Sequence, residues 1–124
     1  MHRNTLLAMA MALPLWVSAQ TPFPTDFPAD AIELSTEALS ERLLGRAFHA
    51  KPVTANHYRV EFRKGHAFIN IGQFSDSGTW RVDGGQLCVE WRRLPSGCSD
   101  IRSAGGNLYM RRTANNEVVV MAPD

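Results

Sequence analysis

The chain has 124 residues, with 13 Lys and Arg against 12 Asp and Glu, two cysteines and three tryptophans. That length fits one domain, and 44% apolar with 20% charged residues is an ordinary globular composition that excludes wholesale disorder and a multi-pass membrane protein. A formal net charge of +1 gives no electrostatic footing for nucleic acid, whose binding domains are strongly basic.

Met1-His2-Arg3-Asn4 is a short positive start, Leu6 to Val17 is an uncharged and largely apolar run interrupted by Pro14, and Val17-Ser18-Ala19 is a small-residue cleavage site. This order predicts a secretory signal peptide over residues 1–19 and hence a periplasmic or secreted protein. The apolar run is about a dozen residues where a spanning helix needs about 20, so no stable membrane anchor is expected after cleavage. Loss of Arg3 with the signal leaves basic and acidic side chains balanced. Residues 20–30 (QTPFPTDFPAD) hold three prolines, which oppose helix and sheet alike. They are expected to form a flexible Pro-rich leader, with a single β-rich domain over residues 31–124.

Leu34 to Gly45 (LSTEALSERLLG) carries the marks of one short helix. Ser35 or Thr36 can cap its start, Glu37 suits the positive end of the dipole, Leu39 and Leu43 share a face with Leu44 beside them, and Gly45 can stop it. Two to three turns are too short to stand alone, so the leucine stripe must pack on something.

From Gly45 onward the period changes to two. Tyr58, Val60 and Phe62 alternate with Arg59, Glu61 and Arg63, the pattern of a strand with one buried face. Lys64-Gly65, Ser75 to Gly78, Asp83 to Gly85, Ala104 to Gly106 and Asn115-Asn116 are turn sequences between further short apolar runs. With Ala47–His49 counted first, about eight strands joined by tight turns are predicted, and short connections make neighbours antiparallel. Such an up-and-down meander hides its edges either by closing into a small barrel or as a strongly curved sheet wrapped on the helix.

Cys88 and Cys98 enclose nine residues, and an even pair in a short exported domain predicts a disulfide. If the two cysteines face each other, Arg92-Arg93-Leu94 form the tip of a hairpin, and Leu87, Val89 and Trp91 share a face with Ile101. Redox and zinc roles are disfavoured, since the spacing is not Cys-x-x-Cys and no tight His pair accompanies it. His49, His57 and His66 are eight and nine residues apart, so only a shared rim would let them cooperate. No nucleophile elbow, phosphate-cradling glycine loop or His-Glu-x-x-His is present, and no catalytic residue, metal ligand or cofactor is assigned. Trp80 and Trp91 are expected to face inward.

The run Asp76-Ser-Gly-Thr-Trp80-Arg-Val-Asp-Gly-Gly-Gln-Leu-Cys88-Val-Glu-Trp91, followed by Gly97-Cys98, resembles a group of small exported bacterial proteins with an S-G-T-W-x-V…G-x-L-C-x-x-W…C core. Leu44-Gly45-Arg46-Ala47-Phe48 is similar to an element that precedes that core in many of them. The resemblance implies an exported β-domain with a hairpin disulfide and carries no catalytic residues. Ser103-Ala-Gly-Gly-Asn-Leu-Tyr109 resembles loosely the S-G-x-x-Y-like loop of periplasmic lysozyme inhibitors. The expected function is a non-enzymatic exported binding module for a protein, glycan or small-molecule partner, with a binding rim of Trp91, Arg92, Arg93 and Tyr109. The alternatives are an inhibitor of a hydrolase such as a lysozyme or a protease, and an enzyme using histidine or carboxylate groups.

Overall fold

A computed structural model describes residues 22–124; the expected signal peptide lies outside the described residues. Helix α1 (Thr36–Leu43) is followed by eight strands: β1 (Arg46–Ala50), β2 (Tyr58–Arg63), β3 (His66–Ile71), β4 (Phe74–Asp83), β5 (Gln86–Trp91), β6 (Gly97–Ala104), β7 (Asn107–Arg111) and β8 (Val118–Pro123). Each strand pairs antiparallel with the next, and β1 also pairs with β8, so the meander closes into a barrel in sequence order. Of the two shapes compatible with the sequence, the closed barrel is the one formed.

The helix follows its sequence cues. Ser35 is the N-cap, its Oγ accepting the Ala38 N–H at 3.2 Å, and Gly45 ends the element at φ +76°. Leu39 and Leu43 are fully buried against Phe48, Phe62 and Leu108. Leu44 departs from the expectation: it is half-exposed, because the chain has already left the helical path at that residue. Thr36 Oγ1 accepts the Gly84 N–H at 3.2 Å, and Arg42 donates to the Gly106 carbonyl at 3.0 Å. The helix is thereby tied to the β4–β5 and β6–β7 turns and closes that end of the barrel. Trp80 belongs to the same end, edge-on to Phe62 with centroids 5.3 Å apart, its indole N–H donating to the Arg63 carbonyl at 2.6 Å.

Two segments differ from the sequence expectation. The turn predicted at Ser75 to Gly78 is strand; the chain reverses instead at Gly72-Gln73, with Gly72 at φ +59°. Gly78 serves close approach rather than reversal, since a Cβ there would lie 2.0 Å from the Glu90 carbonyl oxygen of β5. Over its described residues the Pro-rich leader is docked on the barrel wall. The Pro24 carbonyl accepts the Val118 N–H at 2.8 Å, the Phe27 ring lies against the guanidinium groups of both Arg102 and Arg111, and Ile32 bridges to Ser103.

The disulfide joins Cys88 of β5 to Cys98 of β6, directly opposite residues of one ladder. As expected for that register, Leu87, Val89 and Ile101 point to the core. The β1–β8 seam is the shortest pairing in the ring, made of Phe48 with Pro123 and His49 with Ala122.

Candidate functional site

Strand directions place the β1–β2 loop (51–57), the β3–β4 turn, the β5–β6 loop (92–96) and the β7–β8 loop (112–117) together, at the end opposite the helix. The inward side chains near this end leave space between them. A cavity of about 140 Å³ results, walled by Phe48, Ala50, Val60, Phe62, Ile69, Leu87, Val89, Met110 and Met121. Trp91, Pro95, Gly97, Ser99, Thr113 and Tyr58 complete the lining toward the mouth. No lining residue is Asp, Glu, Lys, Arg or His, and Tyr58 is its one titratable side chain. Burial pushes the Tyr58 pKa up to about 12, against a lowering influence of Arg112, so the phenol keeps its proton at any physiological pH.

Two buried carboxylates hold the loops over this mouth. Glu117 opens into the space between the first and last of them. It accepts the Val53 N–H at 2.6 Å, the Thr54 N–H at 3.3 Å, the Thr54 hydroxyl, and Arg112 Nη1 at 3.4 Å. The Thr54 oxygen in turn accepts Arg112 Nη1 and Asn115 Nδ2, each at 2.9 Å, which uses its donor and both acceptor sites. Burial pushes the Glu117 pKa up, but the bonds from Thr54 and Val53 and the charge of Arg112 together outweigh it and hold the group below the usual glutamate value.

Asp76 does the same for the β5–β6 loop. Its carboxylate accepts the Arg93 and Leu94 N–H groups, both at 2.9 Å, and that of Ser77 at 2.9 Å. Burial raises its pKa, and those three backbone donors, Leu94 first, bring it below the ordinary aspartate value. Two of its three backbone partners thus lie on the β5–β6 loop, away from its own strand.

The four residues of the expected binding rim separate in the structure. Trp91 lines the cavity mouth. Arg92 and Arg93 sit in the neighbouring loop and border an outer groove with Phe68, Ser75 and Ser77, where the Arg93 guanidinium lies over Phe74 and donates to the Ser75 carbonyl at 2.7 Å. Tyr109 is not at the mouth at all. It alternates with the inward residues Leu108 and Met110 and lies outside, beside Arg102 and Val120.

The three histidines do not meet: His49 and His57 border one outer groove, and His66 is away from it. His57 is in an open-end loop and His66 begins β3 at the helix end. His49 faces outward, bonded to Asp124, which also accepts Arg59 Nε at 2.9 Å. Among the described residues, no three His, Cys, Asp or Glu side chains converge as metal ligands would. The segment likened to an inhibitor loop is mostly strand, and its Gly105-Gly106 turn is held by Arg42.

The sequence reading missed the mouth residues Tyr58, Ser99 and Thr113. For Tyr58 the signal was present, because its alternation with Val60 and Phe62 already puts it on the inner face. The fold and site thus define a small closed antiparallel barrel, plugged by a helix at one end and holding an apolar cavity at the other. Comparison with known protein families, curated proteins and solved structures finds no match to this chain.

Proposed function

We propose that this chain is an exported, non-enzymatic binding module that takes a small apolar molecule into the open end of its barrel. The observation that carries this reading is the cavity of about 140 Å³ with its uncharged lining. It is close in size to the engineered ~150 Å³ apolar cavity that takes up benzene, and well below the ~300–1,000 Å³ of pockets for drug-sized ligands. Eight-stranded barrels are just wide enough for side chains to fill or for one small ligand to enter. A disulfide in a small barrel is compatible with an oxidising compartment outside the cytoplasm, which supports the export implied by the amino-terminal sequence.

Titration with benzene, toluene and methylcyclohexane, followed by Trp91 fluorescence and by NMR shifts of Val89 and Met110 methyl groups, tests this reading. Saturable shifts confined to the cavity lining are expected. Val89→Phe should abolish them while leaving cooperative unfolding in place. Absence of any saturable shift in the wild-type protein would reject the reading.

A further inference from the structure

The cavity has one feature that a purely hydrocarbon ligand leaves unused. Tyr58 lies at the mouth end of β2, on the same strand face as Val60 and Phe62, and its side chain is part of the cavity wall. Its side chain is half-buried against the core, and its hydroxyl makes no hydrogen bond to any described residue, so the O–H is open to a ligand. The phenol lies near enough to Arg112 and Glu117 to feel both charges, but those two groups are engaged with each other and with Thr54. Thr113 also lines the mouth, yet it is exposed and solvated; Ser99 is half-buried on β6, opposite Leu87.

We infer that the preferred ligand is a neutral molecule with an apolar body and one hydrogen-bond-accepting group, such as a carbonyl or ether oxygen, received by the Tyr58 hydroxyl. This rests on the cavity-binding reading above and narrows it. Neutrality follows from the lining, since an ion placed among Val60, Val89 and Met110 would lose its hydration with no free counter-charge to replace it. The protonated phenol offers its O–H to such an acceptor.

Cyclohexanone and methylcyclohexane have the same number of heavy atoms and differ in a carbonyl. The full, disulfide-intact protein is titrated with each, as wild type, Tyr58→Phe and Ser99→Ala. Tyr58→Phe should weaken cyclohexanone at least fivefold, the equivalent of about one hydrogen bond, and leave methylcyclohexane unchanged or slightly tighter. Ser99→Ala, at the other half-buried hydroxyl of the lining, should weaken cyclohexanone less than Tyr58→Phe does. In the wild type, the 13Cζ resonance of Tyr58 should move on adding cyclohexanone and stay in place with methylcyclohexane, a readout that needs no variant.

Binding of both ligands with equal losses in Tyr58→Phe would reduce Tyr58 to packing and overturn the inference while the cavity reading stands. So would loss of ketone binding in Ser99→Ala with none in Tyr58→Phe. Cyclohexanecarboxylate binding as tightly as the ketone would overturn neutrality. If neither uncharged ligand binds, the cavity reading falls and takes the inference with it.

Discussion

Glu117 is a carboxylate at 1% exposure with four donors directed at it. Taking its charge out of water is costly, and the structure offsets that cost with short bonds from Val53 and Thr54 and with the partly buried Arg112. Glu117→Gln keeps the shape but turns an amide N–H₂ toward donors, and is expected to cost about 1–3 kcal/mol at neutral pH in urea unfolding. The pH dependence has a definite sign. Because the folded pKa is depressed, the stabilisation is fully present above the ordinary glutamate value of 4.5 and is lost as pH falls through the lower folded value. The gap between wild type and Glu117→Gln should therefore close in acid and stay constant from pH 6 upward. A gap that stays unchanged down to pH 3 would count against the latch. None of this is readable locally, since the donors on residues 53 and 54 are more than sixty positions away. Tyr58 is the opposite case: its inward face is legible in a five-residue alternation, and only the empty space it borders is not.

At the scale of elements, the helix is the part most fully written in the sequence. Its cap, stop and leucine stripe all lie within a dozen residues and act on one another at short range. What the stripe packs on is set by barrel closure, which places Phe48, Phe62 and Leu108 beneath it. Leu39→Ala is expected to destabilise by about 2–5 kcal/mol, the range for a fully buried leucine. Phe48 and Phe62 belong both to this cluster and to the cavity wall, so denaturation measures the packing loss and titration shows how far it carries to the open end. The misplaced turn at Ser75 to Gly78 has a physical origin. Ser, Asp and Gly are the residues of turns, but here Ser75 bonds across to Asn70, Asp76 bonds to the β5–β6 loop, and the glycine makes room for a neighbouring carbonyl. Composition alone does not separate those uses.

Across the whole molecule, eight short strands enclose a core that is not completely filled, in a chain of modest length. Small domains bury a smaller share of their surface and lean on covalent support. The Cys88–Cys98 bridge closes a short loop, for which the chain-entropy model gives about 3 kcal/mol. Replacing both cysteines by serine should lower unfolding free energy by about 2–3 kcal/mol; a loss below 0.5 kcal/mol in urea melts would show that the hairpin is already fixed by its turns. The number of strands, their order and their antiparallel sense were legible because every connection is short. Closure was not dictated by any one of them, since it depends on the outermost pair. That pair, Phe48 with Pro123 and His49 with Ala122, has a consequence for how the protein is made. Every other ladder joins strands that emerge one after the other and can zip as they appear. The ring alone must wait for its final strand, the last half-dozen residues of the barrel.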